Sequence, residues 1–98
     1  MTYHDVLAQD RRLLILQGLA EAEGYALRET VLARLLEAQG EHIGHVRLRS
    51  QLEWLRDALL IDLDQSADPW LAKITRRGLD VAAGKTRVAG VARPLPEA

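Results

Sequence analysis

The side chains best able to do recognition chemistry lie within two helical turns of one another. His45, Arg47, Arg49, Ser50 and Gln51 place hydrogen-bond donors close together along the chain. Base edges in the DNA major groove are read by such groups, with Arg suited to guanine and Gln to adenine. A second basic pair, Arg76 and Arg77, lies further on, with Lys73, Lys85, Arg87 and Arg93 around it. Cations of this kind contact phosphate and supply most of the affinity for nucleic acid. The same residues equally suit a solvated helix face, where Arg47, Arg49 and Arg56 alternate with acids, or a charged surface that keeps a small domain in solution.

Between the two basic groups the chain turns acidic. Asp62, Asp64 and Asp68 fall where no basic residue occurs between Arg56 and Lys73. Carboxylates repel a phosphate backbone, so this stretch argues against its own contact with DNA. Three aspartates also raise the idea of a cation site, but a solvated turn explains them better. His42 and His45 are three apart, yet a metal site needs more convergent ligands and a second shell. No metal or cofactor is therefore expected. The chain has no cysteine, which excludes disulfides and thiolate chemistry. It has no glycine-rich phosphate loop and no serine beside an evident base, so no enzyme is expected.

Apolar spacing shows the elements that must carry these residues. A first helix is expected from Thr2 to Glu23, with Thr2 as N-cap and Asp5 beside the positive helix end. Val6, Leu13, Leu16, Leu19 and Ala20 form its stripe, widened by Ile15. A second helix lies within 25–39, starting between Ala26 and Thr30, with Val31, Leu32, Leu35 and Leu36 on its buried face. The third runs from about His45 to Ala58. Leu48, Leu52, Leu55 and Leu59 share one face, which turns Val46, Arg49, Ser50, Glu53 and Asp57 outward. Leu60–Leu63 and Trp70–Ile74 read as two strands joined by an Asp68-Pro69 turn. Trp70, Ala72 and Ile74 fall on one strand face. Thr75 is set to cap a last helix that packs through Leu79, Ala82 and Ala83 and stops at Gly84. Two strands cannot bury a face alone, so the hairpin must lean on the helices.

The fold class expected is mostly α with a small β-hairpin, a winged helix-turn-helix. It comprises three helices, a two-stranded wing and a short C-terminal helix. Residues 1–84 form that domain, and 85–98 an extended or disordered basic tail. Trp54, with Tyr3 and the first helix, either covers the core or lines a dimer contact.

Composition bounds the function. The net charge is −1, with 13 basic and 14 acidic side chains. That balance does not by itself mark a nucleic-acid binder; only the last quarter of the chain is basic. No charged start precedes an apolar run, and no apolar run approaches a membrane span, so neither a signal peptide nor membrane association is expected. A cysteine-free small domain fits the reducing cytoplasm.

The run "RSQLEWLRDALLIDL…WLAKITRRGLDVAAG" resembles winged-helix regulators of the ArsR/MarR type. Across about residues 5–94, the chain is similar to small proteins of Mu-like prophages. "DRRLLILQGLAEAEGY", "VRLRSQLEWL" and "ITRRGLDVAAG" carry that likeness. Where many of those relatives have glycine before the first strand, this chain has Leu59, which argues against a left-handed helix stop there. The resemblance implies a fold and a DNA-binding regulatory role, without effector pocket or metal site.

The resulting expectation is a homodimeric regulator of double-stranded DNA. It would read bases through His45, Arg47, Arg49, Ser50 and Gln51, hold phosphate through Arg76 and Arg77, and dimerise through the first helix and chain ends. The rival is a non-catalytic protein-interaction module, in phage morphogenesis or docking to a phage or host protein.

Overall fold

In the computed structural model, residues 1–96 are described; positions 97–98 of the expected tail lie outside the described residues. Helix α1 spans Tyr3–Glu21, opened by the expected cap. The Asp5 amide donates to Thr2 Oγ1 and the Thr2 amide to Asp5 Oδ2, both at 3.1 Å. This reciprocal pair satisfies two amides that the first turn leaves free. After a short turn come β1 (Ala26–Arg28), α2 (Glu29–Ala38) and α3 (His45–Asp57). The hairpin β2 (Ile61–Asp64) and β3 (Leu71–Ile74) follows, then α4 (Arg76–Ala82). Among the described residues, no helix is long and apolar enough to cross a membrane.

The sheet has three antiparallel strands in the order β1-β3-β2, one more than the hairpin expected. Ala26 pairs with Lys73 and Arg28 with Leu71. Three residues are too few to show alternation, so β1 is invisible beside the apolar pattern of α2. The pairing matters because it brings the start of α2 against the start of β3. Four helices with this small sheet make an α/β domain compatible with a winged-helix-like arrangement.

The core is aliphatic. Ile15, Leu16 and Leu19 of α1 meet Leu32 and Leu36 of α2 and Leu48, Leu52 and Leu55 of α3, with Leu60, Ile61, Ala72, Ile74 and Val81 closing it. Each fully buried side chain of this size contributes about 1.5–3 kcal/mol. Four residues read as buried are exposed: Val6, Val31, Leu35 and Leu59. Ala83 is exposed too, and Val81 packs in its place. Among the described residues, the outer edge of the apolar stripe of α2, at Val31 and Leu35, is left partly uncovered.

Leu59 overturns the expectation for the helix-to-strand corner. Its φ is +65°, the left-handed stop that its side chain argued against. Its amide bonds to the Arg56 carbonyl, and the Leu60 amide to that of Leu55, closing the helix end. The turn drops Leu60 into the core, fully buried, and leaves Leu59 outside. Thr75 caps α4 as expected, accepting from the Gly78 amide at 3.1 Å. Gly78 is a close-approach residue, since a Cβ there would stand 2.2 Å from the Leu60 carbonyl oxygen.

Among the described residues, the stretch after α4 carries no helix or strand, but it is docked. The Ala92 amide donates to the Gln9 carbonyl at 3.1 Å, and Val91 is buried. Arg12 ties this segment to α3 by three contacts, one to the segment and two to the helix. It donates to the Gly90 carbonyl at 2.9 Å and to Gln51 Oε1 at 2.7 Å, and stacks 3.9 Å from the Trp54 ring. Burial pushes the Arg12 pKa down. Trp54 is thus covered by Arg12 and by the segment around Gly90.

Candidate nucleic-acid interface

Burial of Leu48, Leu52 and Leu55 fixes the roll of α3. That roll leaves His45, Val46, Arg47 and Ser50 exposed at its start. The N-cap is Gly44, which supplies no side-chain acceptor, so the first-turn amides stay available at the positive end of the helix. Arg47 is exposed and makes no ion pair among the described residues. These three polar side chains stand as expected for groups that face a partner.

Arg49 does not. Expected to point outward as a base reader, it turns back to Glu29 at the first position of α2. Its Nε lies 2.9 Å from Oε2 and its Nη2 2.6 Å from Oε1, a two-pronged ion pair. Nη2 also reaches Asp68 at 2.8 Å, and the guanidinium stacks 4.1 Å from the Trp70 ring. Glu29 is 1% exposed and is the only buried charged residue among those described. Its Oε1 accepts a third partner, the Trp70 amide, at 3.1 Å, while its own amide donates to the Trp70 carbonyl. Hydrogen bonding from Arg49, opposed by burial and aided by the Trp70 amide, holds the Glu29 carboxyl below the usual range. The same bond raises the Arg49 pKa. The Nε and Nη2 donors of Arg49 are spent on joining α2, α3 and the hairpin.

Gln51 is also withdrawn from reading. Its Oε1 accepts from Arg12, and the residue is half-buried. Of the five residues expected to read bases, only His45, Arg47 and Ser50 stand exposed and unengaged among the described residues.

The hairpin's acids are largely answered within the fold. Asp68 pairs with Arg49. Asp64 accepts from the Ser66 amide at 2.9 Å and from its hydroxyl, which holds its carboxyl below the ordinary value. Asp62 is directly opposite Lys73 in the β2–β3 register. Arg28 donates to the Pro69 carbonyl beside the turn. The net negative charge that sequence assigned to this turn is partly offset by cations from α3, β1 and β3.

Arg77 is exposed on α4 and has no ion pair among the described residues. Arg76 is 89% exposed, a loose 3.9 Å from Asp80. It stands at the rim of a groove lined by α1, α2 and α4, rather than beside the start of α3.

Two relatives align over nearly the whole chain. An uncharacterized protein, gp26 of Escherichia phage Mu, is 38% identical over 95 residues, covering 97% of this chain and 98% of its own length. The chain belongs to the phage Mu gp26 family. An uncharacterized protein of Haemophilus influenzae is 33% identical over 101 residues, covering 99% of this chain and 95% of its own length. No family model and no solved structure matches. The gp26 relationship bears out the likeness to Mu-like phage proteins.

In this gp26-family chain, the residue that sequence reasoning missed is Glu29. An acid at a helix start reads as an ordinary dipole-favoured residue. Its partners lie 20 and 41 positions away, and no local spacing encodes that. Arg12 was missed for the same reason: its bond to Gly90 spans 78 positions.

Proposed function

We propose that this gp26-family protein is a winged-helix DNA-binding protein with a regulatory role in a phage or prophage, and that it is not an enzyme. The start of α3 enters the major groove. His45, Arg47 and Ser50 meet base edges or flanking phosphates, and Arg77 contacts the backbone. The observation that carries the reading is the uncapped α3 N-terminus, flanked by exposed, unpaired Arg47 and anchored from behind by the Arg49–Glu29 clamp. A recognition helix needs both free donors in front and a fixed roll behind. In this reading Arg49 is a positioning residue. It makes no base contact but sets where Arg47 points. Pairing of Asp68 with Arg49, and the place of Lys73 opposite Asp62, lessen the repulsion that the turn would meet beside a duplex.

The test is a gel-shift with duplexes tiled across phage control-region DNA. Arg47→Ala should weaken binding by about 10-fold or more on the preferred duplex and relax its preference. Arg77→Ala should weaken all duplexes alike and lower the salt slope by about one. Wild-type affinity for Arg47→Ala at moderate salt would retire the proposal for α3, and no retention on any duplex at low salt would retire it for the protein.

A further inference from the structure

The groove between α1, α2 and α4 is about 910 Å³, with an apolar floor and a polar and charged rim. Leu14 and Gly18 of α1, Val31 and Leu35 of α2, and Leu79 of α4 line it. Val31 and Leu35 are 37% and 39% exposed, although both belong to the apolar stripe of their helix. An apolar stripe left open beside a core is a place where something docks.

The chain itself carries a segment of matching chemistry. Leu95 is 90% exposed and lies between Pro94 and Pro96. Paired prolines hold such a segment extended, so it loses little freedom on docking. Pro94 packs beside Gly84, where a Cβ would stand 3.6 Å from its Cγ, and the neighbours Ala83 and Lys85 line the groove. Leu95 follows Pro94 and is 90% exposed, so it does not fill the groove of its own chain. The groove's four charges balance: Asp80 is paired with Arg76, while Glu21 and Lys85 have no ion pair among the described residues, and Arg93 is exposed and likewise has none.

We infer that this groove receives the Pro94–Pro96 segment of a second copy of the chain. Leu95 seats between Val31 and Leu35, and Arg93 faces Glu21. The exchange is reciprocal, so a two-fold dimer forms in which each copy gives one segment and receives one, and the contact area doubles without an open end. The inference rests on the groove and the segment, not on the DNA reading. Loss of one leaves the other standing.

Sedimentation velocity over a wide concentration range tests it. The wild-type chain should shift from monomer to dimer as concentration rises. Leu95→Asp, at a fully solvated position, should keep wild-type circular dichroism and raise the dimer dissociation constant about 10-fold or more. Leu35→Glu should do the same from the groove side. Mixed in equal amounts, these two variants rebuild one intact segment-in-groove contact, and should associate more strongly than either alone. A wild-type chain that stays monomeric at every concentration overturns the inference. So does a dimer that Leu95→Asp leaves unchanged, or a mixture no better than its parts.

Discussion

Arg49 of α3 and Glu29 of α2 meet through paired hydrogen bonds of 2.6 and 2.9 Å, with the carboxylate 1% exposed and the guanidinium stacked on Trp70. The pair reinforces the roll that Leu48, Leu52 and Leu55 give α3, because it ties that helix to the first residue of α2. It also links α3 to the hairpin, through Asp68 and the Trp70 amide.

Removing one partner should cost far more than an exposed ion pair does. Arg49→Ala leaves Glu29 buried with only the Trp70 amide, and should destabilise by about 3 kcal/mol or more. Arg49→Lys should recover only part, since an ammonium cannot make the two-pronged contact or the ring stack. A double-mutant cycle with Glu29→Gln in urea denaturation measures the coupling. Additive losses would show that the pair is not a unit.

The same pair sets an acid limit. Hydrogen bonding from Arg49 lowers the folded-state pKa of Glu29 below its unfolded value. Its contribution is therefore fully present above the unfolded glutamate value, about pH 4.3, and is lost as pH falls through the lower folded value. Urea midpoints should fall more steeply below about pH 4 in wild type than in Glu29→Gln. Asp5 and Asp64, also lowered, titrate equally in both and cancel in the comparison.

Leu59 should be improvable. Its side chain is 70% exposed and its φ is +65°, so it holds a left-handed turn without packing in return. Glycine removes strain of about 1–2 kcal/mol and adds about 0.4–1 kcal/mol of unfolded-state freedom. Leu59→Gly should thus stabilise by roughly 0.5–1 kcal/mol, visible as a higher melting temperature. A lower one would place Leu59 in a contact that the isolated chain does not display.

Gly90→Ala should release the docked segment. Its φ is +96°, and a Cβ would lie 2.5 Å from the Trp54 ring. Release takes away the Arg12–Gly90 bond and uncovers Trp54 and Val91. Tryptophan emission should shift to the red, and trypsin should cut faster after Lys85 and Arg87, with α1–α4 still folded. Unchanged emission and cleavage would mean that the neighbouring bonds hold the segment without Gly90.

The sequence by itself determined the helices, their caps and the hairpin. Apolar residues recurring at helical spacing, Thr2 and Thr75 at helix starts, and turn formers around Pro69 act over a few positions, and local spacing encodes them. It also determined which side of α3 is buried, because Leu48, Leu52 and Leu55 leave one solution. Only the tertiary structure decided what the polar side chains of that helix do. Arg47 and Arg49 are two positions apart and chemically alike. One stays free while the other is consumed by Glu29, an acid brought to it when β1, too short to read, pairs with β3. The left-handed turn at Leu59 and the docking of Val91 on α1 were settled in the same way. In each case burial of distant neighbours outweighed the local preference of the chain.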